Sequence, residues 1–319
     1  MLPSAVILAG GVVIVWSLLV TGMRATLYGF GFEPWTLALA VQICGGAALL
    51  FAAGLKSLPL QPIRRWATWA IGGLRVVTTC AFTTALLYAS AGQVSLLTTI
   101  NVLIAMLGVF LVFRRGRRPT EVPGILLMIG GLALLIGHLE GGWSNLAVRY
   151  VLLSETSVVL ASLLAERHPD NLGDRRQRLA LTGFVTLLSA LGLLIVWIVA
   201  AALLTDAGIG PDIATVKATL GSPWAWIMAF VLGALLRGPG TYGAFLLTAR
   251  LGADGYMLGM AAMPPLVMLL EQIAASFALV PRPQSALADL GVAAIVIAGG
   301  VWVVVAQVRA RRQTMSRRG

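Results

Sequence analysis

The chain predicts an all-α integral membrane protein with ten transmembrane helices, and three observations lead there. Mean hydropathy is +0.92. Of the 319 residues 59% are hydrophobic and only 11% charged, where soluble domains carry about 25% charged residues. Apolar stretches recur that match the ~20 residues a helix needs to cross ~30 Å of hydrocarbon. Apart from Arg75 and Arg237, the 23 Lys and Arg residues cluster between those stretches and at the C-terminus, so a net charge of +11 reads as membrane topology and not as a nucleic-acid surface.

Taken in order, the expected spans run from Ala5 to Met23, Trp35 to Leu55, Trp66 to Ala89, Val94 to Phe113 and Val122 to Gly137. The second five run from Leu146 to Ala165, Leu179 to Leu204, Trp224 to Ala249, Tyr256 to Leu279 and Leu287 to Val308. Only Ser90 to Gln93 separates the third from the fourth, so these two form an antiparallel pair. The paired glycines Gly45-Gly46, Gly72-Gly73 and Gly130-Gly131 read as close helix contacts. Cys44 and Cys80 both fall within spans, where a thiol packs as a small apolar group, and no disulfide framework or zinc motif follows. The first span lacks a basic segment before it and a cleavage site after it, so no removed signal peptide is expected.

Seventeen of the cations fall on one side of this ten-span layout, including Lys56, Arg64, Arg65, Arg114, Arg115, Arg117, Arg118 and the tail residues Arg309 to Arg318. Only Arg24, Arg149, Lys217 and Arg282 fall on the other. Basic loops resist translocation, which puts both termini in the cytoplasm and requires an even number of spans. The longest external connection, Thr205 to Pro223, spaces Ile213, Val216 and Leu220 along one helical face, as expected of a segment lying on the membrane surface.

Five spans in each half, residues 1–138 and 139–319, enter the membrane from opposite sides, the arrangement of an inverted repeat. A shift of 162 residues lays Arg75 on Arg237 and Val102 on Pro264. At a shift of 160, Leu86-Leu87, Ala89 and Gly92 meet Leu246-Leu247, Ala249 and Gly252.

Val15-Trp16-Ser17, Leu86-Leu87-Tyr88-Ala89-Ser90-Ala91-Gly92, Met263-Pro264-Pro265-Leu266, and Gly291 with Gly299-Gly300 together resemble the drug/metabolite transporter superfamily, in its EamA-like branch of ten-helix bacterial transporters. The resemblance covers nearly the whole chain. Two features depart from that pattern. Phe113-Arg114-Arg115 and Ala278-Leu279-Val280 stand where the family has Gly-Glu-Arg, and Val102 stands where a proline is common. What the resemblance implies is a basket of two inverted five-helix repeats in the bacterial cytoplasmic (inner) membrane. A central cavity in it would pass small metabolites, often amino acids, commonly outward.

Charge inside a span selects the candidate site, since an ionised group at mid-bilayer costs at least ~2.5 kcal/mol on insertion scales. Arg75, Glu155 and Arg237 each lie about ten residues into a span, near mid-depth, with Glu271 closer to the outer face. Two readings stand. The four charges pair with one another and fix helix packing, or the arginines hold a substrate carboxylate while Glu155 or Glu271 receives its ammonium or carries a coupling proton. Asn101 needs a partner at that depth and is a further cavity candidate; Gln42 reads as an interhelical contact. Trp16, with Tyr88, is placed in an aromatic wall, Tyr242 one turn beyond Arg237, and Met257, Met260 and Met263 on a pliable face.

Gly238-Pro239-Gly240 is either a kink or a broken helix whose freed backbone lines the cavity, and Pro264-Pro265 reads as a hinge of the ninth span. No metal or cofactor site is expected: His138 with Glu140 sits at an external helix end, and no phosphate-binding loop appears. The expected activity is secondary active transport of a small carboxylated metabolite by alternating access, with substrate and lipid bilayer as the partners. The competing expectation is a membrane-embedded enzyme acting on a lipid-linked or amphipathic substrate with Glu155 and Glu271 as its carboxylates.

Overall fold

The computed structural model describes residues 2–55, 58–114, 119–204, 212–283 and 286–316. Lys56, Arg115, Arg117, Arg118, Arg317 and Arg318, which weigh in the expected orientation, lie outside these residues, as does the start of the Thr205 to Pro223 connection. Among the described residues the regular structure is entirely helical. Eight helical stretches are long and apolar enough to cross a membrane. Two of the ten expected spans are not among them. Trp66–Ala85 has the length but carries Arg75 and several threonines, and in the last helix the apolar stretch among the residues described with side chains is Ala288–Val303.

The first half comprises α1 (Leu2–Phe30), α2 (Pro34–Ala53), α3 (Trp66–Ala85), α4 (Ala91–Leu97), α5 (Ile100–Phe113) and α6 (Val122–His138). The second comprises α7 (Leu146–Glu166), the short α8 (Pro169–Leu172), α9 (Arg175–Leu204), α10 (Ile213–Gly221) and α11 (Pro223–Phe230). It then continues through π-helical turns at Val231–Arg237 into α12 (Gly238–Leu251), followed by α13 (Ala253–Met260), α14 (Met263–Ser276) and α15 (Ala286–Ser316).

Local chemistry sets the ends that matter. The Glu33 carboxylate accepts from the N–H groups of Trp35 and Thr36 at the start of α2, where Pro34 needs no donor of its own. Ser90 and Gln93 form a reciprocal capping box on α4. The expected fourth span is two helices because Thr98 and Thr99 turn their hydroxyls onto the carbonyls of Ser95 and Leu96, each at 2.7 Å, tightening the backbone between α4 and α5. The ninth is likewise two: the chain turns at Ala261 and Ala262, and α14 then begins with Pro264 and Pro265 in its first turn. Neither proline has an N–H to donate backward, so the pair starts a helix and does not hinge within one.

Pro239 produces neither a break nor a simple kink. It cannot bond the carbonyl of Leu235, and the turns before it widen so that the Gly238 N–H bonds Gly233 O, five residues back. The helix then passes unbroken through Gly240 to Leu251.

Packing pairs α2 with α9, α3 with α7, and α6 with α15 most extensively. In addition α1 lies against α12 and α14, and α7 against α3 and α5. Glycines permit the closest crossings. A Cβ on Gly124 would stand 2.5 Å from the carbonyl oxygen of Gly299, and one on Gly45 2.9 Å from that of Gly233. Of the expected pairs, Gly72 and Gly131 face neighbouring helices, whereas Gly73 and Gly130 face open space. The apolar face of α10 is covered by protein: Val216 is buried, and the Thr219 hydroxyl accepts from the Glu33 N–H at 2.9 Å.

Candidate functional site

α1, α2, α3, α5, α7, α13 and α14, with the end of the π-helical turns, line a partly open cavity of about 90 Å³. Its wall is mostly apolar, built from Leu19, Val20, Met23, Val41, Phe82 and Val158 together with Met257, Met260 and Met263. Among the described residues its charged groups are three: Arg75, Glu155 and Arg237.

Arg75 on α3 is 2% exposed and Arg237 is 4% exposed. The Arg237 guanidinium lies 4.9 Å from the centre of the Trp16 ring and donates through Nη2 to the Thr79 hydroxyl. Gly240 lets α1 approach here, since a Cβ on it would already meet Val15 at 3.2 Å. The Arg75 guanidinium stands 5.2 Å from the centre of the Phe245 ring, beside the Tyr256 hydroxyl. Its backbone carbonyl accepts from Gln42 at 3.4 Å and from the Thr79 hydroxyl at 2.9 Å, which ties α2 to α3 at this level. Arg75 and Arg237 are close enough for their like charges to repel.

Glu155 on α7 is held by neutral donors. Asn101 Nδ2 donates to one carboxylate oxygen at 2.9 Å and the Ser154 hydroxyl to the other at 3.1 Å. Among the described residues neither arginine forms a direct ion pair with it. Five buried polar atoms of cavity residues have no hydrogen-bond partner: Trp16 Nε1, Arg75 Nε and Nη2, Asn101 Oδ1 and Arg237 Nε. In a protein interior such atoms are rare and costly, about 1–3 kcal/mol each. Four of the five are donors and one is an acceptor.

The structure therefore brings Arg75, Asn101, Glu155, Arg237 and Trp16 together, and it removes two expected members. Glu271 does not line the cavity. It lies eight residues beyond Met263 along α14, about two turns away, where its oxygens accept from the Ala91 and Gly92 N–H groups at 2.7 and 2.8 Å. Arg24 completes that junction: Nε sits 3.1 Å from Glu271, while Nη1 donates to the carbonyls of Leu86, at 2.7 Å, and Ala89. Tyr242 is the second. Five residues past Arg237 it points about 140° round the helix, into a cluster with Leu49, Leu50 and Phe184. Tyr88 also stays outside, stacked on Tyr150 with ring centres 6.1 Å apart.

Gly238, Pro239 and Gly240 act through backbone shape and supply no ligand groups. Pro264 and Pro265 set where α14 starts, directly after the turn that presents Met260 and Met263. Sequence reasoning missed Thr79, Ser154 and Tyr256. The first stands one turn from Arg75 yet serves Arg237, 158 residues away, and the second adjoins Glu155 at a spacing that carries no contact signal in a helix. Among the described residues no cluster of three His, Cys, Asp or Glu side chains suited to a metal ion occurs.

No family model matches the chain, and no curated protein matches it. One solved structure, described only as "Crystal structure of protein", superposes with a TM-score of 0.61 at 19% identity over 95% of this chain and 98% of its own length. That likeness bears on the fold alone.

Proposed function

We propose that the chain is a secondary active transporter that moves small amino acids or related carboxylated metabolites across the cytoplasmic membrane by alternating access, outward in the direction its resemblance implies. One observation carries the reading: two mutually repelling guanidiniums face one cavity with donors unspent, opposite a carboxylate and an amide with an acceptor unspent. An anion placed between Arg75 and Arg237 relieves their repulsion and takes up Nε and Nη2 donors in the fork geometry that suits a carboxylate. An ammonium a few ångströms away meets Asn101 Oδ1 and Glu155. The methionines, Phe82 and Leu19 then surround an apolar side chain, so neutral amino acids fit best.

The ten-span inverted-repeat architecture belongs to the same proposal. What supports it is the contact pattern. The fifth and tenth spans pack together, as do the second and seventh, while the first and sixth each lie against the third and fourth spans of the other half, or their counterparts. A two-fold axis in the membrane plane produces such an exchange. The interruption of the fourth span after Leu97 and of the ninth after Met260 is a further matching pair, 163 residues apart.

Uptake and release of a labelled amino-acid mixture in protein-only proteoliposomes tests the function. The expected outcome is flux of neutral amino acids that falls sharply in Arg237→Met, with unchanged elution in detergent. If no carboxylated compound moves, the proposal is wrong. Imposing a pH gradient on the Glu155→Gln variant tests proton coupling: flux that still responds to the gradient removes Glu155 from that role.

A further inference from the structure

A second cavity lies where α3, α5 and α7 end on the arginine-rich side, a cleft of about 680 Å³ that none of the cavity charges lines. Its wall is apolar: Val112 and Phe113 come from α5, Leu160 and Leu164 from α7. Arg64, Arg65 and Arg167 stand at its rim together. Topology accounts for basic residues in these loops, but not for three of them converging on one apolar cleft. Arg167 is laid against the cleft wall, its guanidinium 4.2 Å from the centre of the Phe113 ring. Arg65 shares Asp170 at 3.3 Å, so that acid offsets one of the three cations. Arg64 and Arg167 are exposed, and no carboxylate within the ion-pair range meets either of them among the described residues. The cleft thus carries an excess of two positive charges over an apolar slot.

We infer that this cleft binds an anionic phospholipid, its phosphate between Arg64 and Arg167 and an acyl chain along Val112, Leu160 and Leu164. Charge complementarity selects the headgroup, because basic pockets between spans at the cytoplasmic level attract anionic lipid. The apolar slot selects a lipid over a free phosphate. Both arginines present a fixed positive charge to phosphate oxygens. The inference is independent of what the central cavity carries, since the two share no residue.

Native mass spectrometry of the full chain, released from detergent with defined lipid added, tests it. Phosphatidylglycerol is expected to be retained in preference to phosphatidylcholine. The double variant Arg64→Gln with Arg167→Gln is expected to lower phosphatidylglycerol retention about tenfold or more, in line with the usual worth of two cations at a lipid surface. Both positions are exposed, so the fold does not depend on them, and Arg175→Gln, an exposed cation outside the cleft, should leave retention as it is. Equal retention of the two lipids overturns the inference. So does an equal loss in the Arg175→Gln control, which would indicate general surface charge. Displacement of phosphatidylglycerol by millimolar inorganic phosphate alone would make the cleft a free-anion site and overturn the lipid assignment.

Discussion

Two groups of buried charge occupy this protein, and they are built on opposite principles. At the junction of α1, α4 and α14, Glu271 and Arg24 form an ion pair and, Arg24 Nε apart, spend their hydrogen bonds on four backbone groups left over at helix ends. In the central cavity Arg75, Arg237 and Glu155 make no direct ion pair with one another and keep donors in reserve. Residue types are the same in both, and the two groups lie about two helical turns apart along α14. The difference is whether the folded chain uses the charge up, and it separates a charge that holds helices together from one that waits for a ligand.

The largest expected effect breaks the first group. Removing one partner of a buried ion pair costs about 3–5 kcal/mol because the other charge is stranded. Glu271→Ala strands Arg24 and also frees the Ala91 and Gly92 N–H groups at the start of α4. A large fall in detergent melting temperature and in folded yield is expected. Melting at the wild-type temperature would show that the junction is not structural.

Next comes the reverse experiment in the cavity. Arg237→Met keeps the side-chain volume and takes away a charge that nothing in the fold neutralises, so the melting temperature should hold or rise. Flux or amino-acid affinity should meanwhile drop about 100-fold, the usual scale for losing one partner of a desolvated charge contact. Loss of stability with unchanged flux would reverse the assignment of the two groups.

A third test asks whether the cavity is held in shape from outside. A Cβ on Gly233 would press on the Val41 carbonyl and come within 2.8 Å of Cys44 Cβ, at the crossing of α2 with the π-helical turns that end in Arg237. Gly233→Ala should cost about 1–3 kcal/mol, as overpacking does, and lower flux together with stability. A drop in stability alone would mean that Arg237 is positioned independently of that crossing.

Much of this was legible in the sequence because hydrocarbon imposes few solutions: helical spans, their approximate ends and the residues at mid-depth follow from apolar length alone. Arg75, Asn101, Glu155 and Arg237 could be placed near mid-depth on that basis, with Trp16 in an aromatic wall. Glu271 could not be assigned, since its partners are backbone N–H groups 180 and 179 residues away, and backbone leaves no mark in residue identity. Tyr242 failed for a different reason: a position five residues past Arg237 gives a similar depth but turns about 140° away round the helix. Gly-Pro-Gly names a disturbance without fixing its form. The two split spans were half visible, because Pro264-Pro265 announces a helix start, whereas Thr98-Thr99 does so only through hydroxyls that bend back on their own carbonyls.

The smallest effect comes from a third polar cluster, where α3 and α7 end on the arginine-rich side, in which Asp170 is ion-paired with Arg65. His168 Nδ1 accepts from the Asp170 N–H at 3.3 Å, so the proton sits on Nε2. That nitrogen is 3.1 Å from the Thr68 hydroxyl, whose own hydrogen goes to Pro62 O at 2.6 Å. The ring is therefore neutral, and burial holds its pKa below the ordinary histidine value; Asp170 pulls the other way and Arg65 adds to the lowering. The unfolded chain then binds the proton more readily than the folded one. The contribution to stability is complete above about pH 6.5 and declines as pH falls from there towards the folded value. Melting temperature should thus be slightly lower at pH 5.5 than at pH 7.5, and His168→Gln, which keeps a donor near Thr68 but has no proton to gain, should flatten that slope. An unchanged slope in the variant would place the acid sensitivity elsewhere.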